Sequence, residues 1–459
     1  MINHEPVLHI PTAELVAALS RALDLTEGEP MGHAMRTCWI GMEIGRYLTL
    51  SEKERAELYY ALLLKDAGCS ANARQVAEWF DTDDRSAKYA FKSVNWSNLW
   101  QATRYAISQV KPGAPWTQRL NQLISVGRRG PQGARELVEM RCTRGADVVR
   151  QLGWVTIAPD AVLNLDEHWD GSGQPRGLKG QEIPLLARIL LLAQTIEIFW
   201  NRSGAQAALK VVHDRRGTWF DPALVDLFLT IGKAETFWAQ LGQITEPMAI
   251  AHLDPDPSAI SMSSLDELLH IARVFGEIVD TKSSWTAMHS IRTAQVAASL
   301  AEIMGESERV QQETLLAGFL HDLGKLGVSN LILDKPGALD AQERQEIQKH
   351  PELTYHILEP IRALQPIAAA AASHHERLDG TGYYQALRGD TIPLVGQIVA
   401  VADVYDALAH ARPYRRQLDT GEVLGIMRPD AGKKLSGPAM EALEWGLRQQ
   451  PERFVAESG

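Results

Sequence analysis

Cysteine is scarce in this chain: three occur among 459 residues (Cys38, Cys69 and Cys142), all in the first half and far apart. Such thiols build no disulfide framework and suit a reducing compartment, so the expected location is the cytoplasm. Long apolar runs are missing as well. No stretch approaches the about 18 apolar residues that a membrane-spanning helix needs, so no membrane partner is expected. The N-terminal segment MINHEPVLHIPTAEL has no basic region followed by an apolar one, and no secretory signal is expected. Positive charge is in deficit, with 46 Lys and Arg against 57 Asp and Glu and a net charge of −11. Broad nucleic-acid binding needs a basic footprint, so no nucleic-acid partner is expected. A small anionic ligand remains open, because a few local cations or metal ions override the average field.

What is present is helical periodicity. A hydrophobic content of 45% with 22% charged residues is ordinary for a globular protein, and the length allows two to four domains. LDELLHIARVFGEIV (265–279), TAQVAASLAEIM (293–304) and QETLLAGFLHDLG (312–324) place apolar residues at i, i+3, i+4 and i+7. Ser264 and Glu267 have the spacing of a capping box. No set of alternating strands is visible, so the expected fold class is all-α.

The chain repeats itself. LLLKDAGC (62–69) aligns with FLHDLGK (319–325) at an offset of 256, which pairs Asp66 with Asp322 and His33 with His289. DGSGQPRGLKGQEIPLLARILLLAQ (170–194) aligns with DGTGYYQALRGDTIPLVGQIVAVAD (379–403) at an offset of 209. The difference implies about 47 extra residues in the first half. They fall in a stretch at about 70–125 that holds Trp79, Trp96, Trp100 and Trp116, and a helical insert is expected there. The proline-interrupted segment 246–264 reads as a linker. The expected organisation is therefore a first domain over 1–248, a linker over 249–264 and a second domain over 265–459.

His289, His321, Asp322, His350, His374, His375 and Asp403 stand out in the second half. Imidazole nitrogen with carboxylate oxygen suits Fe, Mn and Zn, and seven such groups suit two ions sharing a carboxylate rather than one. A lone His321 or His350 is usually a surface or satisfied core histidine, and a lone Asp322 or Asp403 usually caps a helix or pairs with an arginine. Their joint occurrence in this order makes a metal centre the better reading.

HDLGK (321–325), ILDKPGALDAQE (332–343), HHERLDGTGY (374–383) and VADVYDALAHARPYR (401–415) resemble the HD-GYP family of bacterial cyclic-dinucleotide phosphodiesterases. The resemblance covers about 285–420 and implies an all-α HD fold with two divalent ions, Fe or Mn first and Zn, Ni or Mg as alternatives. It implies that His289, His321, Asp322 and Asp403 hold the first metal, and that Asp322 bridges to a second held by His350, His374 and His375. Lys325 would clamp a phosphate and act with Asp322 in catalysis. Arg412, Arg415 and Tyr383 would contact substrate, and Glu376 and Asp406 would orient the histidines and Arg412. Trp285 replaces the Glu that gives some members a third metal, so two metals are expected. The family's GYP reads Gly382-Tyr383-Tyr384 here, and loss of the proline is expected to relax that loop.

The implied reaction is hydrolysis of cyclic di-GMP to pGpG or GMP. The alternative substrate is 3′,3′-cyclic GMP-AMP, and a non-catalytic cyclic-dinucleotide-binding or scaffold protein is the alternative of another class. A GGDEF diguanylate cyclase and a second copy of the chain are the protein partners the resemblance allows. In the first half Lys65 stands for His321, Arg141 for His350, Leu165 and Asp166 for the histidine pair, Gln194 for Asp403 and Cys69 for Lys325. Two cations among former ligands repel a divalent ion and can neutralise Asp66 instead. The first domain thus reads as a degenerate copy that binds no catalytic metal and serves regulation or dimerisation.

Overall fold

The computed structural model describes residues 10–94, 99–153, 155–245, 264–283, 287–411 and 416–454, together with residues 249 and 253. Most of the expected linker, along with Trp96, Trp285, Arg412 and Arg415, lies outside the described residues. The chain forms two compact units, residues 10–263 and 264–459. Both are helical. Among the described residues the extended pairings are two isolated bridges, Arg216 with Phe220 and Ala431 with Leu435. No helix is long and apolar enough to cross a membrane, among the described residues.

Local chemistry starts these helices. Ser264 accepts the Glu267 backbone N–H at 3.2 Å while the Glu267 carboxylate accepts that of Ser264 at 2.8 Å, opening the helix Leu265–Asp280. The expected capping box is present and satisfies two otherwise orphaned donors. Ser51 with Glu54, Asp340 with Glu343 and Asp419 with Glu422 do the same elsewhere. The periodic run at 312–324 does not stay α-helical to its end. The helix Glu308–Leu320 stops at His321 and a 3₁₀ turn, Leu323–Gly327, follows. Gly324 lies in that turn, where a Cβ would fall on the carbonyl oxygen of His350. A turn that close to a second backbone leaves room only for glycine.

The same plan recurs in each unit. Helices Glu52–Leu64 and Glu308–Leu320 match at the offset of 256, and helices Leu185–Ser203 and Leu394–Ala409 begin at matching positions at 209. Gly68, the counterpart of Gly324, approaches the Arg141 carbonyl in the same way. The first unit adds helices Ala73–Phe80, Asp84–Phe91 and Leu99–Gln109, then a long helix, Trp116–Gln151, whose backbone breaks at Gly130 (φ 53). The expected edge of the insert near 125 thus falls inside a helix that continues to Gly130.

Candidate metal centre

Five backbone segments deliver the candidate ligands. Met288, in a left-handed conformation (φ 62), turns the chain into the helix His289–Ile303, so His289 is its first residue. Asp280 accepts the Ser290 backbone N–H at 3.0 Å and its hydroxyl at 2.8 Å, which anchors this helix start. His321 ends one helix and Asp322 enters the 3₁₀ turn. His350 opens the helix His350–Leu358, and the histidine pair follows the helix Gln365–Ala372. Asp403 and Asp406 lie one turn apart on the helix Leu394–Ala409. Thr354 stitches two of these segments, donating to the His321 carbonyl and accepting the Gly324 N–H, each at 3.0 Å.

Three of the histidines are oriented alike. Nδ1 of His321 donates to the Gly318 carbonyl at 2.7 Å, that of His350 to Ile347 at 2.6 Å, and that of His374 to Ala371 at 2.6 Å. A carbonyl only accepts, so each Nδ1 carries a proton, and Nε2 is the ring nitrogen left to face the centre. All three Nε2 atoms surround Asp322, at 3.2 Å from Oδ2 for His321 and at 3.4 and 3.7 Å from Oδ1 for His350 and His374. His289 donates Nδ1–H to Asp406 at 2.6 Å and sets its Nε2 3.5 Å from Asp322 and 3.3 Å from Asp403. His375 Nδ1 lies 3.9 Å from Asp403.

These donors fit divalent cations. Nε2 of His350 and Nε2 of His374 are 3.2 Å apart with no proton of their own to share. Nε2 of His321 and Oδ1 of Asp322 are buried and make no hydrogen bond among the described residues. Ligand atoms of His350, His374 and His375 form one group within 4.8 Å, and those of His289, His321 and Asp322 form another. Buried lone pairs crowded this way repel one another unless a cation lies between them.

Protonation states agree. Burial and the neighbouring imidazoles hold His374 and His375 well below the usual histidine range, and burial takes His350 down to about 4. Burial alone would raise Asp322, but the Lys325 ammonium beside it holds it well below the usual carboxylate range. Neutral rings around an ionised carboxylate are the forms a metal takes.

Lys325 reaches the centre, with Nζ 2.6 Å from Oδ2 of Asp322. Tyr383 packs its ring against His375 with centroids 4.7 Å apart. Asp406 accepts the Nδ1–H of His289, and its arginine among the described residues is Arg292, at 2.6 Å. Among the described residues no hydrogen bond joins the Glu376 carboxylate to a histidine ring. Its carboxylate accepts the backbone N–H groups of Gln385 at 2.7 Å and Leu387 at 3.0 Å, so it holds the glycine-rich loop. That loop is braced rather than relaxed: Tyr384 takes φ 84, a conformation closed to proline.

A family model for the HD domain matches residues 87–224 and 273–438. A 3′3′-cGAMP-specific phosphodiesterase of Vibrio cholerae is 39% identical over 97% of this chain and 96% of its own length. The chain belongs to the HD-GYP branch of the HD-domain family. A solved structure of a cyclic GMP-AMP-specific phosphodiesterase of V. cholerae superposes with a TM-score of 0.66 at 35% identity, over 96% of this chain and 99% of that one. A cyclic di-GMP phosphodiesterase of Thermotoga maritima is 37% identical over 39% of this chain and 48% of its own length. Phosphohydrolases of this family are metal-dependent.

The first unit fills the matching place with its own cations. Lys65 donates to Asp66 and approaches Nε2 of His33 at 3.1 Å. Lys92, from the insert, lies 2.9 Å from Glu27 and 3.8 Å from Asp66. Burial would raise Asp66, yet Lys65 and Lys92 bring it down to about 2. Arg141 bonds Asp166 and not Asp66, so the neutralising partner expected of it is Lys92 instead. His33 is oriented by Glu197, which also binds Arg36 at 2.7 Å, as Asp406 serves His289 and Arg292. Arg292, Asp280 and Thr354 were not singled out from the sequence. The offset of 256 pairs Arg36 with Arg292 and Asp24 with Asp280, and could have found the first two.

Proposed function

We propose that the 264–459 unit is a metal-dependent phosphodiesterase of cyclic dinucleotides and that the 10–263 unit is a degenerate copy. The observation that carries the first part is the convergence of three carbonyl-locked histidines on Asp322, in a chain whose full-length relative is a cyclic-dinucleotide phosphodiesterase. His289, His321, Asp322 and Asp403 would hold one ion and His350, His374 and His375 the other, with Asp322 shared. Fe or Mn suits this nitrogen-rich set best, with Zn, Ni or Mg as alternatives. Two divalent ions supply an activated water near neutral pH and charge stabilisation for the phosphoryl group.

The chain's own groups do the rest. Asp406 holds His289 in one tautomer, and the Gly318, Ile347 and Ala371 carbonyls do so for three more rings, so no rotation precedes binding. Lys325 keeps Asp322 ionised and sets one cation where a phosphate oxygen would approach. Tyr383 covers His375 and narrows access of water on that side. Arg412 and Arg415 are proposed as further phosphate or guanine contacts.

Cyclic di-GMP is the first substrate to assay, as the family resemblance suggests. The second is 3′3′-cGAMP, favoured by one observation: the relative and the solved structure that cover nearly the whole chain carry that specificity in their names. The loop around Tyr383 and Tyr384 is the proposed contact for a GGDEF diguanylate cyclase. Metal content of purified wild type and of His321→Ala/Asp322→Ala, with chromatography of both cyclic dinucleotides, tests the reading. A metal-loaded wild type inert towards both would sink it.

A further inference from the structure

The insert of the first unit carries a charge pattern unlike the rest of the chain. From Arg85 through Arg135 there is no Asp or Glu, yet nine Lys and Arg, in a protein of net charge −11. Six of those cations are engaged locally, among them Arg85 with Asp83, Arg119 with two backbone carbonyls and Arg135 with the Pro175 carbonyl. Lys88 and Lys92 turn inward to the Cys69 carbonyl and Glu27, and Lys111 pairs with Asp81 at 2.8 Å. Arg104, Arg128 and Arg129 remain at the surface.

Large apolar side chains share that surface. Trp100 is 67% exposed and Trp116 57%, with Ile107, Leu120 and Ile124 also exposed. Trp116, Leu120 and Ile124 stand four residues apart on one helix and so form a stripe. Arg119 ties the two helices together, donating to the Ile107 and Val110 carbonyls while its guanidinium lies 5.6 Å over the Trp116 ring. Arg104 lies over Trp100 at 5.4 Å. An exposed apolar stripe edged by arginines, on a stretch of sequence without acids, is not a solvation device.

We propose that this face of the insert docks on an anionic lipid surface, with Trp100, Trp116, Leu120 and Ile124 entering the headgroup boundary and the arginines meeting lipid phosphates. Charge complementarity selects this occupant. A two-fold contact with a second copy would press the same arginines against themselves. Nucleic acid would use the cations and the tryptophan faces but leave Ile107, Leu120 and Ile124 without gain, whereas indole, aliphatic and guanidinium groups together match a bilayer interface. The expectation of no membrane partner rested on the lack of a spanning helix, which does not bear on surface docking.

Full-length protein sedimented with phosphatidylcholine vesicles, with and without phosphatidylglycerol, tests this. Sedimentation with the anionic vesicles alone, suppressed by high salt, is expected. Trp100→Ala/Trp116→Ala and, separately, Arg128→Glu/Arg129→Glu should each weaken it by about tenfold or more while far-ultraviolet dichroism and turnover without vesicles stay unchanged. No sedimentation with anionic vesicles, equal sedimentation with pure phosphatidylcholine, or wild-type sedimentation of both variants overturns the proposal. So does a mobility shift of RNA or DNA without vesicle binding, or light scattering that shows these tryptophans holding a dimer.

Discussion

Nε2 of His350 lies 3.2 Å from Nε2 of His374, and each ring spends its only N–H on a backbone carbonyl. Two lone pairs so placed in a buried site favour a cation between them. Removing metal should therefore expose that repulsion. Chelation is expected to lower the melting temperature of the unit holding these histidines by several degrees, in line with about 3 kcal/mol from a ligand at a hundredfold its Kd. His350→Ala/His374→Ala, lacking both lone pairs, should lose most of that response. Calorimetry with and without chelator decides; an unchanged wild-type transition refutes the metal reading.

Gly324→Ala should cost roughly 2–4 kcal/mol and most of the bound metal, because the new methyl meets the His350 carbonyl and separates Asp322 from His350. Gly68→Ala meets the Arg141 carbonyl at the matching place and should cost similar stability while leaving metal content alone. Denaturant melts paired with metal analysis read both. Metal content retained by the Gly324 variant would contradict the packing described.

Asp406→Ala removes the acceptor that sets the tautomer of His289. A loss of about 10–100-fold in metal affinity or turnover is expected, typical of partners that orient a ligand. Metal titration of the variant is the measurement, and wild-type affinity would show that His289 needs no orientation.

Tyr384→Pro cannot take φ 84 and should disorder the loop that Glu376 braces, with turnover falling about tenfold or more. Tyr384→Gly suits that φ and should be neutral or more stable by up to about 1 kcal/mol. Melting and steady-state kinetics of the two variants side by side separate backbone from ring effects. A fully active proline variant would show that the loop adopts another conformation in solution.

His168 in the first unit is buried against Trp219 with ring centroids 4.1 Å apart, and burial lowers its pKa from 6.5 to about 4. The unfolded chain binds the proton more readily, so the group's contribution is present above pH 6.5 and is lost as pH falls towards about 4. At most about 3 kcal/mol is involved. Urea melts of wild type and His168→Phe across this range should diverge, the wild type losing more stability as pH falls. Parallel curves would mean that the ring stays solvated.

The amino-acid pattern alone settled much of this protein. Helical periodicity and the Ser264–Glu267 box mark the helix starting at Leu265, because capping and amphipathicity are local properties. The histidine and aspartate set was legible through its order along the chain and through the two offsets of 256 and 209. What Glu376 does was not legible, because its partners are backbone N–H groups that any residue carries. Nor was the choice of Lys92 over Arg141 as the second cation near Asp66, since an insert of the chain brings Lys92 there. The Nδ1–H orientations of His321, His350 and His374 follow from carbonyls at helix ends, and only the folded backbone decides where those carbonyls point. Residue types therefore determined which ligand chemistry is available, and tertiary packing decided its geometry. The physical reason is that composition and period are written along the chain, whereas convergence of lone pairs depends on distances between segments that only folding sets.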